Sequence, residues 1–406
     1  MDLHSGLPYW IVKNELFDYF HPLKADDSVE VAVIGSGITG TLVAHELCTA
    51  GISCAVFDKR TIATGSTAAS TAQLQYEIDV PLAEMANMVG ENTAAKAYHA
   101  SLRAISDIEN VFKLTGVASD FNRVSSIYLA SNTRGLRRLE HEYRIRRKHG
   151  LPVDFLDSGN LLRDHRIEGL GALKNSAAAQ MDCYLAATGL LKHHVKRSGL
   201  SLFSHTDIVE YEERRNGYTL LTGDGRTIKC KYLVIAAGFE AERFLPRKVV
   251  DLVSTYVLVS QPVDPAQLWP ERSLIWETAS PYFYMRTTSG NRMMIGGEDV
   301  PFRNPERRDR LLRWKIRRLE RQFRAIYPQI PFVTDMAWCG TFSATKDGLP
   351  FIGSWPGKKR LFFALGYGGN GITFSMVAAQ VIRNKLLGVK DEREAMFGFE
   401  RGIGDR

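Results

Sequence analysis

The sequence predicts an α/β fold: a nucleotide-binding strand-turn-helix-strand unit near the amino terminus, wound through a second region built on a mixed sheet. Three observations predict it. An apolar run, a glycine turn, a helical pattern and a second apolar run follow one another between Ser28 and Arg60. Residues 251–300 are rich in β-branched and aromatic side chains, broken by turn signals at Pro281 and at Ser289-Gly290-Asn291. A second glycine-rich turn, at 366–371, leads into a final helical pattern.

The elements follow in order. Residues 1–28 form an aromatic-rich lead-in with Tyr9, Trp10, Phe17, Tyr19 and Phe20. The first strand is Glu30–Ile34, and the helix runs from Gly40 to Ala50, where Gly51 stops it. The second strand is 53–58. Helical spacing recurs at 82–116, 133–149 and 181–199. Short strands fill 200–238, with a hairpin turn at Gly223-Asp224-Gly225, and end in the apolar strand Tyr232–Ala236. A basic helix over 304–326, a strand near 332–342 and a helix over about 372–387 complete the chain.

The 406 residues, 45% of them hydrophobic, supply a core that needs no disulfide or metal staple. Five scattered cysteines without a CxxC pair read as reduced thiols, so no metal site is expected. There is no apolar run long enough to span a bilayer, and the first residues lack a signal-peptide pattern, so a cytoplasmic protein is expected. The net charge of +7 is concentrated. Residues 131–150 hold seven Lys/Arg against two acids, and 304–324 hold nine against three. In the second stretch Leu312, Trp314, Ile316, Leu319, Phe323 and Ile326 follow helical spacing, which predicts a core-facing stripe with a solvated basic face. Nucleic acid is therefore disfavoured as a partner.

Gly35-Ser36-Gly37-Ile38-Thr39-Gly40 has the GxGxxG spacing. Its first glycine makes the tight turn, its second admits a pyrophosphate to the backbone, and its third lets helix and strand pack closely. The motif follows a strand, opens a helix, and is followed by an acid at a strand end, Asp58. That carboxylate is placed to accept hydrogen bonds from a ribose diol, and an acid there disfavours a 2′-phosphate. Gly35, Gly37, Ile38, Thr39, Gly40, Asp58 and the adjacent Lys59 are thus candidate dinucleotide-binding residues. Three more blocks suit a bulky cofactor: the small and hydroxylated loop 64–73, the strand closing in Ala236-Ala237-Gly238, and the carboxyl-terminal pair 345–353 and 366–373. Backbone N–H groups at the start of the last helix can stabilise negative charge on the cofactor.

Taken together, and in this order, these blocks resemble the flavoprotein amine and amino-acid oxidoreductase family, the D-amino-acid oxidase superfamily that includes glycine oxidase, sarcosine oxidase and gamma-glutamylputrescine oxidoreductase. The resemblance runs from about Val29 to Leu387. It implies a Rossmann-like FAD-binding domain assembled from 29–90, 158–245 and 340–390, interleaved with a mixed-sheet substrate domain from 91–157 and 246–339. It implies that Ser66, Thr67, Ser70 and Gln73 run along the diphosphate towards the isoalloxazine. Ile208 meets the adenine, and Ala237 with Gly238 closes the strand. By the same resemblance Asp347, Gly368, Gly369, Asn370, Gly371, Ile372 and Thr373 are expected near the ring. Gly340 stands where covalent sarcosine oxidases carry a flavin-linking cysteine, so FAD is expected to be noncovalent. Phe342 stands where glycine oxidase carries a carboxylate-binding Arg, which puts a simple α-amino acid in doubt.

The implied reaction is oxidation of a C–N bond by hydride transfer to flavin N5, with imine release and reoxidation by O2 or another acceptor. Gln73, Gln75, Tyr76, Tyr284 and Arg286 are the candidate residues above the flavin. Tyr284 and Arg286 are two apart on one strand and so share a side. Lys346 is a further candidate near the ring. The alternatives are a flavoprotein that holds RNA on its basic helix, oxidation of a hydroxy acid, and a flavin-binding protein without turnover. The lack of a GxSxG elbow or a second GxGxxG disfavours a hydrolase or a separate NAD(P)H domain.

Overall fold

The computed structural model describes residues 4–16 and 20–401, so Phe17 and Tyr19 of the lead-in lie outside the described residues. Two sheets organise the chain. The first has eight strands. At its centre Asp27–Ile34 lies parallel to Cys54–Phe57 on one side and to Thr227–Ile235 on the other. Ser201–Phe203 and Lys358–Leu365 extend it in parallel at either end. Phe351–Trp355 adds antiparallel to the last of these. The hairpin Ile208–Arg214 and Gly217–Thr222 continues from Thr227–Ile235.

The first strand is apolar without alternation because both its faces are covered. Val31 and Val33 enter the core shared with Leu42, Leu47 and Val377 of two helices, whereas Ala32 and Ile34 enter a second core with Phe57, Ile235 and Phe363. The helices Ile38–Thr49 and Gly371–Leu386 pack on each other and against this sheet.

The second sheet has ten strands in the order His4–Ser5, Thr334–Ala344, Asp251–Ser260, Met293–Pro301, Tyr284–Thr287, Leu274–Glu277, Asn122–Leu129, Gly171–Gln180 and Gln73–Leu74, with Asp154–Asp157 beside Gly171–Gln180. The basic helix Pro305–Ile326 lies across four of its strands. Leu319 and Phe323 are buried there and Trp314 is exposed. Arg308 and Lys315 of that helix, and Arg146 of the helix Thr133–Lys148, are buried as well, which withdraws them from any basic surface.

Three features depart from the sequence reading. The helical stretch 82–116 is two helices, Leu82–Val89 and Glu91–Thr115, because Gly90 between them sits at φ +86°. Asn122–Leu129 is a strand that was not expected. So is Gly171–Gln180, whose sequence GALKNSAAAQ has no β-branched residue; its three hydrogen-bonding neighbours impose the extended state. It falls within the stretch 158–245 assigned above to the FAD domain, yet its partners are in the ten-stranded sheet. Among the described residues no helix is long and apolar enough to cross a membrane, and no cluster of three or more His, Cys, Asp or Glu is arranged to hold a metal.

Candidate active site

One long cavity runs from the carboxyl ends of the parallel strands to the face of the ten-stranded sheet. It begins at the glycine turn. Gly35 has φ +106°, and a Cβ on it would stand 2.5 Å from Ala236 O. A Cβ on Gly40 would stand 1.8 Å from Gly35 O, so the helix can approach the turn only without a side chain there. Asp58 closes the turn from beside it. Its carboxylate accepts from Ser36 N–H at 2.8 Å, Ser36 Oγ at 2.6 Å and Arg60 N–H at 2.8 Å. Ile208, Thr206 and Asp207 line the same end. Lys59 and Arg60 there pair with Glu240 at 2.5 and 2.8 Å, and Arg243 bonds Ile208 O at 2.6 Å.

The middle of the cavity is walled by the loop Gly65–Gln73. Four successive carbonyl oxygens of this loop are gripped from behind. Trp338 Nε1 donates to Ala69 O at 2.9 Å and Trp10 Nε1 to Ser70 O at 2.7 Å. Arg286 Nη1 lies 2.8 Å from Thr71 O and 2.9 Å from Ala72 O, with Met181 O also at 2.9 Å. The aromatic lead-in thereby acquires a role: its helix Tyr9–Asn14 supplies Trp10, and Lys13 of that helix pairs with buried Asp182 at 3.1 Å. Burial lowers the Arg286 guanidinium to about 10, so it stays charged at neutral pH.

The far end is formed by Gly340–Ser343, the turn Gly368–Ile372, and the side chains of Gln75, Asp79, Thr255, Trp276, Tyr282, Tyr284 and Asp299. Asp79 sits over the turn, accepting from Gly369 N–H at 2.6 Å and from Tyr282 OH at 3.1 Å. Asp79 is exposed to the cavity, and the protein packed around it raises its carboxyl above the ordinary range. Asp299 belongs to a β-bulge: Ser254 pairs with Val300 and Tyr256 with Gly297, so Glu298 and Asp299 together face the single Thr255. Glu298, at φ +58°, turns to Lys315 and Arg318 of the basic helix, at 3.0 and 2.9 Å, and leaves Asp299 on the cavity. Burial, reinforced by the charge of Asp79, pushes Asp299 up to about 7. Asn370 ties the turn to the adjoining segment, its side-chain N–H groups donating to Gln75 O at 3.2 Å and Glu77 O at 2.7 Å.

The arrangement fits an extended dinucleotide. The helices Ile38–Thr49 and Gly371–Leu386 both start at the cavity; neither N-cap residue, Gly37 or Asn370, caps with its own side chain, and Ile38 N–H donates across to Thr67 Oγ1 at 2.8 Å. A Cβ on Gly238 or Gly371 would meet nothing within 4 Å, so both leave open space along the wall. Gln73 lines the cavity with a buried Oε1 that has no partner in the protein.

Of the residues singled out in the sequence, Gly35, Gly37, Ile38, Thr39, Asp58, Lys59, Ser66, Thr67, Ser70, Gln73, Ile208, Ala237, Gly238, Gly368, Gly369, Asn370, Gly371 and Ile372 line the cavity, as do Gln75 and Tyr284. Six others do not, each for a visible reason. Gly40 packs on Gly35. Tyr76 is fully buried and donates to Pro152 O at 2.8 Å. Arg286 turns to the loop carbonyls. Asp347 pairs with Arg401 at 3.1 Å, and Thr373 Oγ1 donates to Asn370 O at 3.0 Å. Lys346 is exposed and off the cavity. Asp79, Asp299, Trp276, Tyr282 and Cys183 were missed. They carry no local motif, and only chain folding brings them to this wall. Cys183 donates its thiol to Thr67 O at 2.9 Å, and burial raises its pKa strongly.

Comparison with known proteins gives the same picture. A family model described as "DAO: FAD dependent oxidoreductase" matches residues 30–384. Glycine oxidase of Geobacillus kaustophilus is 25% identical over 366 residues, covering 87% of this chain and 91% of that protein. Gamma-glutamylputrescine oxidoreductase of Escherichia coli is 22% identical over 400 residues, covering 95% and 90%. Among solved structures, a glycine oxidase from Geobacillus kaustophilus superposes with a TM-score of 0.78 at 22% identity, over 93% of this chain and 100% of that one.

Proposed function

Because the chain belongs to the DAO family of FAD-dependent oxidoreductases, we propose that it oxidises the carbon–nitrogen bond of a small amine or amino acid. The observation that carries this reading is the continuity of the cavity. It joins the dinucleotide turn to a far end lined by tyrosines, a tryptophan and carboxyl groups, with a helix amino terminus between them.

In this reading Gly35, Gly37, Ile38 and Thr39 hold the pyrophosphate, Asp58 the ribose and Ile208 the adenine. Ser66, Thr67, Ser70 and Gln73 follow the chain of the cofactor, and Gly368–Ile372 border its ring. FAD held by these residues would supply the two-electron acceptor for oxidation of the CH–NH unit to an imine, which water would hydrolyse. The protein supplies the rest. The rings of Trp276, Tyr282 and Tyr284 exclude water. Oxidation requires an unprotonated amine, and Asp299, whose carboxyl titrates near neutral pH, is matched to take the proton of an incoming ammonium. Gly340 and the hydrogen-bonded, buried thiol of Cys183 support noncovalent FAD. So does the place of Cys339, which bonds Ser5 Oγ at 2.7 Å away from the cavity.

The test begins with an absorbance spectrum before and after acid precipitation. Flavin bands in the supernatant support noncovalent FAD, and a yellow pellet refutes it. Anaerobic bleaching of the holoenzyme by amines or amino acids then supports C–N oxidation. Bleaching by hydroxy acids alone would reject it.

A further inference from the structure

The charges along the cavity are unevenly placed. Among the described residues the basic side chains that line it are Lys59, Arg60 and Arg243. All three belong to the dinucleotide end, engaged with Glu240 or with the Ile208 segment. The far end has no lining Lys, Arg or His. Among the described residues it has three carboxyl groups instead: Glu77, which pairs from behind with Arg146 at 3.3 Å, and Asp79 and Asp299, which pair with no Lys or Arg.

Asp79 is held in place rather than loosely disposed. A Cβ on Gly368 or Gly369 would come within 2.5 and 2.7 Å of its two oxygens, so both turn residues are bare where the carboxylate rests. Asp299 is aimed inward by the bulge, and its Oδ1 is buried without a partner in the protein. The walls between them are aromatic. Trp276 and Tyr282 meet edge to face with centroids 6.0 Å apart, and Tyr282 lies 5.8 Å from Tyr284. Trp276 is braced from behind by Tyr128, stacked at 3.6 Å. Carboxylates combined with aromatic faces attract an ammonium and repel a carboxylate. An α-amino acid would have to bury its own carboxylate among these acids with no cation to receive it.

We propose that the substrate is a cationic amine without an α-carboxylate, held at its ammonium group by Asp79 and Asp299 against the rings of Trp276 and Tyr282. This substrate class rests on the amine-oxidation reading above.

The experiment uses the FAD-loaded enzyme and substrate pairs that differ by one carboxylate: ethylamine against alanine, and 1,4-diaminobutane against ornithine, with both enantiomers of each amino acid. Under anaerobic conditions the amine of each pair is expected to bleach the flavin at least tenfold faster. Faster bleaching by the amino acids overturns the proposal while leaving C–N oxidation standing. Bleaching by hydroxy acids alone removes the parent reading, and a binding measurement then decides the charge preference independently. Tetramethylammonium is expected to perturb the flavin bands and acetate to leave them unchanged. Asp79→Asn and Asp299→Asn are each expected to weaken tetramethylammonium at least tenfold. Tighter binding of acetate, or no effect of either substitution, overturns the proposal.

Discussion

Arg286 Nη1 lies 2.8 Å from the carbonyl oxygen of Thr71, a residue 215 positions earlier in the chain. The contact fastens the wall of the cavity to the strand Tyr284–Thr287 of the ten-stranded sheet. Charge buried in this way stabilises because the carbonyls satisfy it, and removal of the guanidinium leaves them unpaired. Arg286→Met is expected to cost about 3 kcal/mol of stability, read as a lowered Tm, and to loosen FAD, read as flavin lost on gel filtration. A Tm unchanged within a degree, with flavin retained, would remove Arg286 from this positioning role.

Gly40 stands where no side chain fits. Its Cβ would approach a backbone oxygen, Gly35 O, which cannot swing aside as a side chain can. Gly40→Ala is therefore expected to displace the turn, with a loss of about 3 kcal/mol or more and poor flavin retention. Normal flavin content at normal Tm would contradict the close approach.

Gly369→Ala has a milder expected outcome. The new Cβ would stand 2.7 Å from Asp79 Oδ1 and 3.1 Å from Tyr282 OH, both ends of movable side chains. Folding and flavin content are expected to survive, while KM for an amine substrate rises roughly tenfold because Asp79 is pushed from its seat. A KM equal to the unmodified enzyme's would place the substrate elsewhere.

Asp299 should give the site a pH dependence. Burial first, then the charges of Asp79 and Glu298, raise its carboxyl to about 7, against the Thr255 hydroxyl and the Lys315 ammonium, which lower it. The phenols of Tyr282 and Tyr284 near it stay protonated, since burial raises both. The folded state thus holds this proton more tightly than the unfolded chain. The resulting stabilisation is complete below the unfolded value of 3.8 and is lost as pH rises through about 7. Asp299→Asn is expected to raise Tm more at about pH 8 than at about pH 5. Tetramethylammonium, whose charge does not titrate, is expected to bind more tightly as pH rises through about 7, and the dependence is expected to vanish in Asp299→Asn. A pH-independent affinity in the unmodified enzyme would exclude Asp299 from ammonium binding.

What was legible in the sequence is what local physics encodes. A glycine turn between an apolar strand and a helix, with Asp58 at the next strand end, can be read within about 30 residues because neighbouring residues supply every contact that defines it. The hydroxylated loop and the Gly368–Gly371 turn were legible for the same reason. Tyr284 and Arg286 share a strand but not a fate. Tyr284 reaches the cavity, whereas the guanidinium of Arg286 turns to three carbonyls that folding brings beside it.

The sequence by itself therefore determined the dinucleotide end of this protein and its family. The substrate end was decided by tertiary structure alone. Asp79, Trp276, Tyr282 and Asp299 come from separate stretches, and Asp299 faces inward only because one extra residue in its strand opposes Thr255. Alternation along a strand can be read from sequence, but a bulge that breaks it is set by the partner strand, and so is the sign of the charge that the cavity presents.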